Sequence, residues 1–190
     1  MKPLSYKIFA YKFYHKKPKK NNPRSCHFEL TFKCSLHCRH CYTDCYNKPD
    51  YINKELETKE VKFILNKLYK ASVLWLCFSG GDPLTRKDFL DIYSYAKSKG
   101  FLITLFTNGY SITQELIKFL KKNPPFMIEI TLNAVTKELY EMISQVVGSF
   151  DKSIQGIKLI QQANLPLKIK VQITKDNLKE LSKIKKFIAQ

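Results

Sequence analysis

The chain has 190 residues, 44% of them hydrophobic and 26% charged, and 33 Lys and Arg against 16 Asp and Glu give a formal net charge of +17. That length suits one domain with a sizeable core, the composition is that of an ordinary soluble globular protein, and no apolar run approaches a membrane span. The positive excess favours non-specific attraction to nucleic acid and anionic surfaces. Its lysines, however, spread along helix faces as solvated surface, so specific nucleic-acid binding is not expected. An acidic peptide substrate is a weaker reading of the same charge.

Residues 1–24 form a basic, tyrosine-rich N-terminal segment centred on Lys16-Lys17-Pro18-Lys19-Lys20. Asn21-Asn22-Pro23 closes it as a turn or linker, and Tyr6 to Phe13 is a candidate edge strand. Met1 to Ala10 lacks the apolar stretch of a signal peptide, which points to the cytoplasm. From residue 25 to 190 strands and helices alternate. His27 to Lys33 is expected as the first strand, and Glu57 to Lys70 as a helix with Val61, Ile64, Leu65 and Leu68 on one face. Val73 to Ser79 is a continuous apolar run, as in a strand covered on both faces of a parallel sheet. Thr85 to Ser98 is the next helix, with Phe89, Ile92, Tyr93 and Ala96 inward, and Phe101 to Thr107 the third strand. Ser111 with Gln114 reads as a capping box opening a helix to Lys122, which Pro124-Pro125 ends. Phe126 to Asn133 is the fourth strand. Thr136 to Ser144 and Phe150 to Ala163 are helices around a break at Val147-Gly148. Leu167 to Thr174 is the fifth strand and Asn177 to Ala189 the last helix. Such alternation means an α/β fold with a parallel sheet and right-handed crossovers.

In the reducing compartment expected here, clustered cysteines are metal or redox groups rather than disulfides. Cys34, Cys38 and Cys41 stand three and then two residues apart, directly after the first strand. Three thiolates this close can wrap one face of a compact inorganic object and suit three irons of a [4Fe–4S] cube. The fourth iron is then open to a ligand. The alternative is a structural zinc with Cys45, Cys26 or His37 as its fourth donor. Cys77, inside an apolar strand, reads as a small core residue. Active sites of parallel α/β folds gather at the C-terminal ends of strands. The cysteine loop, Ser79 to Pro83, Thr107-Asn108 and Thr131 to Asn133 all fall at such ends.

The cysteine spacing resembles the signature of the radical S-adenosylmethionine (SAM) enzymes. Ser79-Gly80-Gly81-Asp82-Pro83 is similar to the Gly-Gly-Glu-Pro motif of that family, with Asp for Glu, and Thr107-Asn108-Gly109 to the turn after its third strand. Tyr140 to Asn177, with Gly148-Ser149-Phe150 inside it, is similar to the SPASM-type members that modify peptides and proteins and usually carry a C-terminal auxiliary-cluster domain. The resemblance covers roughly residues 26 to 190. It implies a partial (β/α)6 barrel, of which five units are read here. The chain stops where a sixth strand would begin, which reads as a core cut short at its C-terminus, or one closed by the N-terminal segment or a partner. No cysteine set for an auxiliary cluster follows Cys77.

Carried over residue by residue, the resemblance makes Cys34, Cys38 and Cys41 the cluster ligands. It places His40 against the adenine of SAM, although a ring that merely packs the loop reads equally well. Gly80 and Gly81 receive the SAM ammonium through backbone carbonyls, with Asp82 beside them, one methylene shorter than the usual Glu. Thr131 stands where a Ser meets the ribose hydroxyls, and Asn177 faces the nucleoside, or else simply opens the last helix. Ile143 stands where many relatives have an Arg. The implied reaction is reductive cleavage of SAM by an electron from an external one-electron donor. It yields a 5′-deoxyadenosyl radical that takes a hydrogen atom from a peptide or protein. The alternatives are a catalytically impaired remnant that binds a cluster only, and a basic zinc- or nucleic-acid-binding module.

Overall fold

A computed structural model describes residues 11, 23–42 and 46–189. Five strands form one sheet in the order β1-β2-β3-β4-β5, every neighbouring pair parallel. They are β1 (Ser25–Glu29), β2 (Trp75–Ser79), β3 (Leu102–Thr107), β4 (Met127–Thr131) and β5 (Leu167–Lys170). Between and after them run α1 (Pro49–Ile52), α2 (Thr58–Lys70), α3 (Phe89–Ser98), α4 (Gln114–Lys122), α5 (Lys137–Ser144), α6 (Ser149–Gln162) and α7 (Leu181–Ile188). The result is the expected α/β partial barrel. The edge strand considered at Tyr6 to Phe13 lies outside the described residues except for Tyr11.

Strand alternation decides which face is which. Leu76, Phe78, Ile103, Leu105, Ile128 and Ile130 point to the helices and are completely buried in one core. Val61 and Leu65 of α2, Ile92 and Tyr93 of α3, and Ile160 of α6 meet them there. Burying each of the larger side chains contributes about 1.5–3 kcal/mol. Tyr93 keeps its polar end satisfied by donating from its hydroxyl to the Asn123 carbonyl at 2.8 Å. The opposite, inner face carries His27, Glu29, Ser79, Thr104, Phe106, Glu129, Thr131, Lys168 and Lys170; of these Ser79 is buried, Thr104, Phe106, Glu129 and Lys170 are half-buried, and the rest are exposed. Cys77 belongs to this set. Leu76 and Phe78 take the core side, so Cys77 faces inward to the barrel and is not the core residue its apolar neighbours suggested.

Several element ends differ from the sequence reading. β1 stops at Glu29; beyond it the chain still runs beside the turn after β2, Leu30 N donating to Ser79 O at 2.8 Å, while Glu55 on its other side accepts from the Thr31 hydroxyl and the Phe32 amide, both at 2.7 Å. The Ser111–Gln114 capping box is not formed. Thr113 caps α4, its hydroxyl accepting from Leu116 N at 3.3 Å, and Ser111 instead meets Ser35, hydroxyl to hydroxyl at 3.1 Å. The helix expected from Thr85 is split: a 3-10 turn spans Pro83–Thr85, and α3 begins at Phe89. A second 3-10 turn, Leu178–Glu180, precedes α7. Glu57 closes a true capping box with Glu60 at the start of α2.

Candidate active site

A cavity of about 490 Å³ opens at the C-terminal ends of the strands, and Cys34, Cys38 and Cys41 line it together with His40, Gly80, Gly81 and Thr131. The three thiols are free. The loop that carries them is held from two sides. Asn47, with φ +63, accepts from Cys34 N at 2.7 Å and donates to the Leu36 carbonyl at 3.2 Å. At the other side, His37 N and Arg39 N donate to Ser144 O and Ile143 O, each at 3.0 Å. The loop thus satisfies carbonyls that the C-terminus of α5 would otherwise leave without partners. Ile143, in the place of an expected Arg, is buried and lines the cavity wall.

The glycine turn after β2 is shaped by this loop. Gly80 has φ +126, and a Cβ on it would come within 2.4 Å of Thr31 O. A Cβ on Gly81 would stand 2.2 Å from Lys33 O and 3.0 Å from the Cys34 Cβ. Side chains are therefore excluded, and Gly81 N and Asp82 N donate to Thr31 O and Lys33 O, both at 2.8 Å. The glycine pair clamps the root of the cysteine loop while keeping its own backbone on the cavity.

Asp82 does not face the cavity. It is fully buried, and its carboxylate accepts from Leu84 N at 3.0 Å, the Thr107 hydroxyl at 2.8 Å and Asn108 N at 3.1 Å. It ties the turn after β2 to the end of β3. Burial pushes its carboxyl up to about 6, against the three donors that favour the charged form. Asn177 likewise departs from the sequence reading. It is completely buried; its amide nitrogen donates to Asn133 O at 2.8 Å and Gln172 O at 2.7 Å, and its Oδ1 accepts from Thr174 N at 2.9 Å. Every arm of the side chain braces the turns after β4 and β5, leaving none for a nucleoside. Neither residue lines the cavity.

The opposite wall is set by Asn133, which the sequence placed at a strand end without a role. Its Oδ1 accepts from Gln172 N at 2.8 Å, so its Nδ2 is aimed at His40 Nε2, also 2.8 Å away. That bond leaves the His40 proton on Nδ1, and burial lowers the pKa of this ring. The Thr131 residue ends β4 and is exposed to the cavity. Below it, on the inner face, the Lys170 ammonium sits 3.7 Å from the Phe106 ring centroid and pairs with Glu129, which Lys168 approaches at 3.8 Å. His27 packs edge-on against Phe106 and hydrogen-bonds Ser79. A parallel sheet whose inner face is this polar is built to line a wet chamber rather than a second core.

The thiols suit a cluster better than a single ion. Among the described residues no three His, Cys, Asp or Glu side chains converge to hold one metal ion, whereas a tetrahedral zinc needs four donors at one point. Cys45, one of the donors considered for zinc, lies outside the described residues. A cube takes one thiolate per iron and so needs its ligands spread along a wall. Leu36 N and Asn108 Nδ2 lie 3.4 and 3.6 Å from Cys34 Sγ, two donors aimed at a sulfur that favour its charged form. Without a metal, burial dominates: Cys34 is pushed up to about 12 and Cys38 to about 11.

Comparison with known proteins identifies the family and the fold. The model of the radical SAM superfamily matches residues 28–188. An AdoMet-dependent heme synthase of Methanosarcina barkeri is 29% identical over 163 residues, which are 86% of this chain and 46% of that protein. The mycofactocin maturase MftC of Mycobacterium tuberculosis is 30% identical over 155 residues, 81% of this chain and 39% of that protein. This chain thus spans less than half the length of these curated relatives. Among solved structures, SuiB of Streptococcus suis bound to S-adenosylmethionine superimposes with a TM-score of 0.69 at 17% identity, covering 93% of this chain and 38% of that one.

Proposed function

This chain belongs to the radical SAM superfamily, a family of enzymes that work with a [4Fe–4S] cluster and S-adenosylmethionine, and we propose that its cavity houses both and generates a radical for hydrogen abstraction from a peptide or protein. The observation that carries the proposal is the meeting of three free thiols and the Gly80–Gly81 turn on one cavity at the strand ends. When bound, the cluster supplies the electron that splits the SAM sulfonium and leaves a 5′-deoxyadenosyl radical.

Cys34, Cys38 and Cys41 hold the cluster. Gly80 and Gly81 offer carbonyls to the SAM ammonium, with no side chain to keep it at a distance. Asp82 acts at one remove, by fixing the backbone of this turn and of Asn108. The Thr131 hydroxyl reaches the ribose from the end of β4, and the neutral His40 ring, aimed by Asn133, lies against the adenine. The polar inner face, of which His27, Ser79, Phe106 and Thr131 line the cavity, receives the substrate. An external donor supplies the electron. The domain arrangement we propose is a core from residue 25 onward, with residues 1–24 as an appended basic segment.

The peptide assignment draws on MftC and on the PqqA peptide cyclase of Bradyrhizobium diazoefficiens, 28% identical over 156 residues. A second reading, a tetrapyrrole substrate, draws on the M. barkeri heme synthase. The test is anaerobic reconstitution with iron and sulfide, then dithionite and SAM, with 5′-deoxyadenosine followed by chromatography beside a Cys38→Ala variant. Nucleoside from the parent alone supports the proposal. A cluster without nucleoside indicates an impaired remnant, and zinc in place of a cluster sinks the reading. Stimulation of nucleoside release by an added peptide or an iron porphyrin then separates the substrate classes.

A further inference from the structure

Asn108 is held at its backbone N–H and at both ends of its side-chain amide. Its backbone N–H donates to Asp82 Oδ2 at 3.1 Å, its side-chain Oδ1 accepts from Tyr110 N at 2.9 Å, and its Nδ2 lies 3.6 Å from Cys34 Sγ. Turning the amide over would set its NH₂ against the Tyr110 N–H and its carbonyl oxygen against the sulfur. The orientation that aims an N–H at Cys34 is therefore imposed by the turn. The turn is itself rigid: Gly109 has φ +83, its N–H donates to the Thr107 hydroxyl at 3.1 Å, and a Cβ on it would meet Ile130 and Ser153 at 3.3 Å. Residues 74 positions apart in the chain are thus brought into a set geometry around one sulfur.

We propose that Asn108 is a positioning residue that raises the reduction potential of the cluster by donating its side-chain N–H to the Cys34 sulfur. This rests on the reading of the cavity as a [4Fe–4S] site. A donor on a ligating sulfur draws electron density from the thiolate, weakens its donation to iron, and favours the reduced, more negative cluster. The backbone N–H of Leu36, on the same sulfur at 3.4 Å, comes with the loop fold whatever its side chains. Asn108 is the contribution that a side-chain substitution removes. The buried Asp82 carboxylate serves it indirectly, by holding the Asn108 backbone.

The experiment is a potentiometric titration of the reconstituted protein without SAM, the reduced cluster being followed by electron paramagnetic resonance. Asn108→Ala, Asn108→Asp and, as control, Ser35→Ala are compared with the parent. Ser35 adjoins Cys34 but hydrogen-bonds the Ser111 hydroxyl. The expected result is a midpoint more negative in Asn108→Ala and more negative again in Asn108→Asp, which sets a carboxylate oxygen at the sulfur. Iron and sulfide per chain stay at the parent level, and Ser35→Ala keeps the parent potential. Asn108→Asp is isosteric and keeps the bond from Tyr110 N, so it reports the lost donor even if the alanine variant disturbs the turn. Parent potentials in both Asn108 variants, or an equal shift in Ser35→Ala, overturn the assignment. A parent that assembles no [4Fe–4S] cluster overturns it together with the reading of the site, and is told apart by its iron and sulfide content alone.

Discussion

Asp82 shows how a single buried acid can organise a site without touching a ligand. Its two oxygens receive three donors and offer none, a demand that a carboxylate meets and an amide cannot. In Asp82→Asn, whichever way the amide turns, its NH₂ faces a backbone N–H, that of Leu84 or that of Asn108. We expect a loss of about 1–3 kcal/mol, the cost of a buried donor left without a partner, read as a lower urea midpoint with an unchanged slope. An unchanged midpoint would show that Asp82 is no strut. Arg86 and Asp88 give a second residue-scale test. The Arg86 guanidinium donates to Asp88 at 2.7 and 2.8 Å and also reaches Leu30 O at 2.8 Å. These bonds to Arg86, with a further one from Thr58, hold the Asp88 carboxyl down to about 2. A folded-state pKa below the unfolded one adds stability above the unfolded value, near 4, and that stability is lost as pH falls toward 2. Asp88→Asn is therefore expected to flatten the fall in unfolding midpoint between about pH 4 and 2; a variant as steep as the parent would contradict this.

At the scale of elements, the sequence made the strands and helices legible wherever one pattern dominated. Runs dominated by apolar residues, such as Val73 to Phe78, became strands although only their helix-facing side is packed, and α4 and α7 carry their apolar residues at helical spacing. What it hid were pairings over long separations. Asp82 and Asn177 are polar residues at strand ends, and local sequence cannot tell a ligand contact from a brace. The difference lies in partners 25 and 44 residues away. Local sequence assigns Asn47, Asn133 and Glu180 no role for the same reason; Glu180 accepts from Val135 N and the Thr136 hydroxyl across 45 and 44 residues. The cap of α4 stands two residues beyond the Ser111 that the sequence suggests, because Ser111 and Thr113 are both good N-cap types and only the backbone shows which one turns into the helix. Thr113→Ala is expected to cost about 1 kcal/mol. Ser111→Ala, which loses one hydroxyl contact at the rim, is expected to cost well under half of that in urea unfolding. The reverse order would restore the capping box at Ser111.

For the whole molecule, the cysteine loop is the place where separate parts of the chain are joined. It is rooted on the turn after β2 through Gly81 and Asp82, anchored on the C-terminus of α5 through His37 and Arg39, and touched from the end of β3 by Asn108. Arg39 extends the link toward the turn after β5, 3.8 Å from Asp176. A group that binds three thiols of this loop in the folded state has no equal site in the unfolded chain, so its binding free energy adds to folding. At a hundredfold excess over the dissociation constant the gain is about 2.7 kcal/mol, and for a chain of this size each kcal/mol moves Tm by about 2–4 °C. Reconstitution with iron and sulfide is therefore expected to raise Tm by roughly 5–10 °C. The rise should be lost in Cys38→Ala, where only two thiols of the triplet remain, and reversed when the parent cluster is broken down by air. It should survive in Asn108→Ala, which keeps all three ligands. A parent that loads iron and sulfide in full but melts at the same temperature would mean that the thiols bind the cluster on a loop uncoupled from the barrel, contrary to the three anchors.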